Sequence, residues 1–264
     1  MISLLELTPL LALSGYAGVI ASRWLRTARW RPLDEVGDDR SSLTGSLTWA
    51  FVLVAVIASL AFLAKWAPLL LTTTPATDTE PAPVNAMAVV TASLGETLLV
   101  FLILLAVTAK SRRPRSVLPS RDAAALGLLV GMAAVGVSLL LSIVVQLLGI
   151  AEDHTLIALL RSQGTPTLWL LVILSAVVLA PLLEELEYRV VMQTWLGRRL
   201  GLAPAIATTA VVFALVHGPA VSIPVLPLGL ATGLTYAATH SYVASVAAHM
   251  TFNATMLALL AVTV

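Results

Sequence analysis

Residues 167–196 read TLWLLVILSAVVLAPLLEELEYRVVMQTWL, an apolar run long enough to cross a bilayer that carries Glu184, Glu185, Glu187 and Arg189 in its second half. An ionisable group in the middle of a membrane costs roughly 2.5 to 3.5 kcal/mol on insertion scales, so such groups are rare unless they pair or work. On an α-helix residues four apart share a face, which sets Glu185 beside Arg189, whereas Glu184 points about 100° away from Glu185. One carboxylate is thereby paired and its neighbour is left free for general-base work on water. Pro181 removes a backbone donor three residues before the glutamates, which predicts a kink or loosened turn there.

The rest of the chain places this run in a membrane protein. The 264 residues are 59% hydrophobic and 11% charged, and the mean hydropathy of +0.97 lies outside the range of soluble domains. Eight apolar runs stand at 4–22, 47–71, 84–109, 123–150, 167–196, 203–217, 221–239 and 242–262, which predicts an all-α, polytopic transmembrane bundle of about eight spans with its site in the interior. The first run lacks a basic leader and contains Glu6, so it reads as a retained anchor. Basic residues cluster after the first run (Arg23, Arg26, Arg29, Arg31, Arg40), the third (Lys110, Arg112, Arg113, Arg115, Arg121) and the fifth (Arg198, Arg199), and positive-inside logic puts these loops in the cytoplasm. With a net charge of +1 and basic residues confined to membrane-flanking loops, nucleic acid is not an expected partner. The absence of cysteine excludes disulfides, thiolate ligands and a thiol nucleophile. A boundary near Ser120 divides N-terminal transmembrane helices (1–120) from a motif-bearing bundle (121–264).

Two more polar clusters interrupt apolar helices: Phe213-Ala214-Leu215-Val216-His217 and His249-Met250-Thr251-Phe252-Asn253. If the fifth and sixth spans turn at 199–201, Glu184 and His217 are each about sixteen residues from the tip and meet at one depth across an antiparallel hairpin. The last span turns near His240 and Ser241, placing His249 about 12 Å and Asn253 about 18 Å up the same side. Glu184, His217, His249 and Asn253 can thus converge in one intramembrane cavity. Gly127 with Gly131, and Gly229 with Gly233, are small-residue pairs that permit close helix approach. His154 and His240 carry no motif and read as solvated groups at membrane edges. The tryptophans, Trp195 among them, mostly fall near expected interfaces.

The three clusters, in this order, resemble the CPBP family of intramembrane proteases, the CAAX prenyl protease 2, bacteriocin-processing and Abi-like enzymes whose motifs read EExxxR, FxxxH and HxxxN or HxxxD. The resemblance covers residues 168–261 and includes the Pro-Leu-Leu lead-in at 181–183. It implies that Glu184 and His217 activate the attacking water, that His249 and Asn253 hold the carbonyl oxygen as it becomes an oxyanion, that Glu185 and Arg189 position the first motif, and that Phe213 packs beside the site. It also implies a peptide or lipidated, CAAX-like protein as substrate and a bacterial-type plasma membrane as location. The chain departs from the pattern at Val190, where a glycine often follows the arginine, and at Glu187, a third carboxylate that alters hydration of the cavity.

Plainer readings exist for each cluster: a structural ion network for Glu184, Glu185 and Arg189, a helix-end histidine bonded to a carbonyl for His217, an interhelical hydrogen-bond pair for His249 and Asn253. A zinc protease would use Glu184, His217 and His249 as ligands; the reading taken is a carboxylate-activated water without cofactor, since no HExxH helix is present and Arg189 brings a positive charge close by. A catalytically silent scaffold or bacteriocin self-immunity partner, and a transporter with a relay glutamate, are the alternatives from other classes. Nothing in the sequence sets the oligomeric state.

Overall fold

The computed structural model describes residues 4–27, 48–61, 64, 86–108, 116–149, 160 and 164–263. Among these, the protein forms eight helices and no strand: α1 Leu4–Thr27, α2 Thr48–Ala61, α3 Ala86–Thr108, α4 Ser120–Leu147, α5 Pro166–Leu200, α6 Leu202–Leu215, α7 Pro219–Thr239 and α8 Tyr242–Thr263. Five of them, α3, α4, α5, α7 and α8, contain stretches long and apolar enough to cross a membrane. It is a multi-pass membrane protein. Large apolar side chains point outward along these helices, among them Leu99, Leu128, Leu140 and Leu170, as expected where lipid is the solvent. Hydroxyls inside the helices close on their own backbone: Thr209, Thr232, Thr235 and Thr251 each donate to the carbonyl four residues back.

The sixth run is shorter than a full crossing. α6 holds 14 residues, about 21 Å of helix, because Gly218 adopts φ 92° and Pro219 starts the next helix. α5 bends back into α6 at Gly201, again with positive φ, and α7 turns into α8 at His240, φ 51°. The expectation that His240 is a solvated edge residue is corrected by its environment. It is buried, with 6% exposure, because its left-handed backbone closes α7 by an N–H bond to the Tyr236 carbonyl and tucks the ring under the turn. The basic stretches 29–40 and 110–115, with His154, lie outside the described residues.

α4 is the central post, packed against α1, α7 and α8. Its approach to α8 depends on glycine: a Cβ at Gly131 would stand 2.8 Å from the Thr251 Cβ and overlap the Ala248 carbonyl. α7 also approaches α5 closely, where a Cβ at Gly233 would meet Gln193 Oε1 at 3.1 Å. Gln193, fully buried, donates its amide N–H to the Gly233 carbonyl at 2.9 Å. Both small-residue pairs thus sit at helix contacts.

α5 is irregular on both sides of its glutamates. Ile173–Leu179 and Leu186–Gln193 wind as π-helix, flanking the short α-helical piece Ala180–Glu185. The first of these is the loosening that Pro181 predicts; the second contains no proline, and no residue pattern announces it. π-segments of this kind cluster at functional sites.

Gly131→Ala is expected to destabilise the bundle by about 1 to 3 kcal/mol through overpacking, while Gly95→Ala, whose Cβ would meet nothing within 4 Å, is expected to be neutral. Chemical denaturation in detergent compares the two.

Candidate active site

The site is assembled from α5, the end of α6, and α8. Glu185 is wholly buried, and its two oxygens are divided between helices: Oε2 accepts from Arg189 Nε at 3.1 Å, one turn along α5, and Oε1 accepts from His249 Nδ1 at 2.9 Å on α8. Because a carboxylate only accepts, the proton of this bond belongs to His249 Nδ1. Nε2 of His249 is therefore directed to the other side, where it lies 3.7 Å from Glu184 Oε2.

His217 is held in the same manner by a different acceptor. α6 unwinds after Leu215, and one turn back the Phe213 carbonyl accepts from His217 Nδ1 at 2.6 Å. Nε2 of His217 then faces Glu184 Oε2 at 4.0 Å. Two imidazoles, one just past the end of α6 and one on α8, thus aim Nε2 at one carboxylate oxygen. Glu184 and His217 remain partly open, at 23% and 29% exposure, whereas His249 is 2% exposed.

Phe213 organises the surroundings. Its ring, fully buried, makes edge contacts with His249 at 5.6 Å and with Tyr188 at 5.2 Å, a tilted contact with His217 at 4.7 Å, and lies 5.5 Å from the Arg189 guanidinium carbon. The terminal nitrogens of Arg189 are buried without a hydrogen-bond partner, so the ring's π-face and Glu185 supply the local compensation for its charge. On α8, one turn beyond His249, Asn253 donates an amide N–H to the Ala176 carbonyl of α5 at 2.7 Å. The Tyr242 hydroxyl donates to the Leu182 carbonyl, tying the start of α8 to α5 just before the glutamates.

The structure brings together Glu184, Glu185, Arg189, Phe213, His217 and His249. Asn253 adjoins them but has one donor engaged by α5. Spacing alone does not reveal the Glu185–His249 bond, which joins residues 64 positions apart. It also leaves Glu187 open: this carboxylate is 4% exposed and its Oε1 has no hydrogen-bond partner. Val190 packs in the apolar core. Among the described residues, no group of three or more His, Cys, Asp or Glu side chains is placed to hold a metal ion.

Residues 166–255, which contain every side chain of this cluster, match the family model described as type II CAAX prenyl endopeptidase Rce1-like. Residues 166–255 are similar to an Rce1-like domain. This agrees with the resemblance to CPBP proteases, and the Rce1-like domain begins with α5 and ends within α8, leaving α1 to α4 outside the match. No curated protein and no solved structure matches the chain.

Replacing Arg189 by Met removes the guanidinium from a buried carboxylate and leaves it His249 alone, and the expected loss is about 3 kcal/mol of stability. Arg189→Lys is expected to restore only part of it, since an ammonium does not reproduce the planar guanidinium beside Phe213. Unfolding midpoints of the two variants in one detergent decide between them.

Proposed function

We propose that the protein is an intramembrane endopeptidase that hydrolyses a peptide bond in a membrane-associated or lipidated, CAAX-like substrate, with residues 121–264 as its catalytic bundle. The observation that carries this reading is the convergence of His217 Nε2 and His249 Nε2 on Glu184 Oε2, at 4.0 and 3.7 Å. Atoms so spaced leave room for one bridging water at about 2.8 Å from each. The Rce1-like match supports the reaction class.

The hydrogen-bond directions divide the labour. His217 commits its Nδ1–H to the Phe213 carbonyl, so its Nε2 accepts from the attacking water while Glu184 takes the proton. His249 commits Nδ1–H to Glu185, so it can donate to an oxyanion only through a protonated Nε2. It therefore works as an imidazolium set between two carboxylates. Asn253 offers its second amide N–H to the same oxygen.

As the water oxygen bonds to the carbonyl carbon, its proton passes to Glu184. When the C–N bond breaks, the leaving amine takes the Nε2 proton of His249. Glu184 then returns a proton to His249, and the site is reset with one water consumed. Carboxylate activation of water needs no metal in this scheme. In this reading the family resemblance implies a bacterial-type plasma membrane, and positive-inside logic favours basic stretches on the cytoplasmic side, from which the substrate enters.

Glu184→Gln is expected to lower kcat at least about 10²-fold, the usual worth of a positioned base, while leaving the unfolding midpoint unchanged. Cleavage of a synthetic lipidated peptide by purified protein in liposomes, with and without a chelator, measures both this and metal independence. Full activity in Glu184→Gln overturns the assigned base, and loss of wild-type activity with chelator overturns the metal-free scheme.

A further inference from the structure

We propose that Pro181 is a positioning residue that aims the Asn253 amide into the catalytic cluster by withholding a backbone donor from the Ala176 carbonyl. The inference rests on the proposed protease reading, in which Asn253 stabilises the oxyanion.

Helix register decides which carbonyl is left without a donor. In the π-segment Ile173–Leu179 the bonds run five residues back, and the Ala180 N–H still donates to the Ser175 carbonyl. The next donor in that register is residue 181, and its acceptor would be the Ala176 carbonyl. Pro181 has no N–H to give. Ala176 is thereby deprived of its ladder partner within a membrane-spanning helix, where no bulk water replaces the missing bond.

The donor that arrives instead comes from another helix. Asn253 Nδ2 lies 2.7 Å from the Ala176 oxygen, across 77 positions of sequence. Contact with a carbonyl fixes the amide orientation as well, because only the nitrogen can donate to it. A carboxamide is planar, so once one N–H is anchored the direction of the other is set. Asn253 itself lies one turn beyond His249, on the same face of α8. With an N–H at position 181 the backbone would satisfy Ala176 by itself, and the amide would lose its anchor.

Two readings of Pro181 then differ in sign. A proline that merely shapes α5 would, when replaced, change stability and leave a correctly folded site active. A proline that reserves a carbonyl for Asn253 would, when replaced by a residue with an N–H, leave α5 as stable or more so and still slow the chemistry.

The test is Pro181→Ala, assayed alone and with Asn253→Ala. The expected result is a fall in kcat on the order of tenfold or more, in line with impairment of an oxyanion donor, with KM unchanged and an unfolding midpoint at or above that of wild type. In the Asn253→Ala background Pro181→Ala is expected to lower kcat no further, the non-additivity of two residues acting through one bond. Wild-type kcat in Pro181→Ala, or losses that multiply in the double variant, overturns the proposal.

A second measurement leaves Pro181 in place and needs no substrate. With a ¹³C-labelled Ala176 carbonyl, Asn253→Ala is expected to shift its infrared stretch to higher frequency as the bond is lost. An unshifted band overturns the inference even if Pro181→Ala does not fold. Should wild-type protein cleave no peptide, the protease reading fails, while the labelled band still reports whether Asn253 serves the carbonyl that Pro181 leaves free.

Discussion

Glu185, a carboxylate with no exposure, accepts from Arg189 on its own helix and from His249 on α8. In a medium that solvates ions poorly, neither the acid nor the guanidinium is tolerable alone, so the pair fixes the rotation of α5, and the third member fixes α8 against it. The geometry of the site depends on that restraint. With Glu185 turned to Arg189 and His249, the adjacent Glu184 is turned to the partly open side, and His249 presents Nε2 to it. The glycine seam between α4 and α8 lets α8 take up that position, since a side chain at Gly131 would push the helix that bears His249 outward.

Placing polar chemistry on α5 comes with a helix that is not regular, and the surplus carbonyls are served by side chains. Asn253 serves Ala176, the Tyr242 hydroxyl serves Leu182, and the Thr194 hydroxyl serves Arg189 at 3.1 Å, five residues back. Two of the three donors come from α8, the helix already tied to Glu185. α5 and α8 are therefore joined at several levels around the glutamates by hydrogen bonds that a membrane interior makes costly to break. In the proposed reaction such joining holds the oxyanion donors in place before charge develops.

Much of this is readable from residue spacing because helices in a bilayer obey few rules. Length and apolarity specify the helical bundle, and equal distances from the turn at Gly201 put Glu184 and His217 at one depth; they stand 4.0 Å apart. The i,i+4 rule pairs Glu185 with Arg189. Spacing does not show that Glu185 also holds His249, because contacts between helices depend on relative rotation, which no local pattern encodes. Nor does it show that Asn253 donates to the Ala176 carbonyl of α5, since that depends on the π register before Pro181. His240 departs from expectation because a polar residue at a helix end is usually solvated, whereas here the left-handed turn folds it inward. For Glu187 the sequence shows only an extra acid, and its burial without a hydrogen-bond partner is not legible from a helix-face argument that assumes regular α-helix.

The helices outside the Rce1-like match contribute through contact with it. Phe51 of α2 stacks on Trp195 of α5 with ring centroids 3.7 Å apart, and the Arg199 guanidinium lies 3.7 Å over the same indole. Two groups cannot occupy one layer, so the indole is covered on both faces, and α2 is fastened to the end of α5. Further along α2 from this stack, Ala55, Ala58 and Ser59 line a cavity of about 440 Å³ together with Met192, Val212, Leu215 and Val216. Val216 immediately precedes His217, and Val212 immediately precedes Phe213. One wall of that cavity is therefore the stretch of chain that leads from α6 to His217.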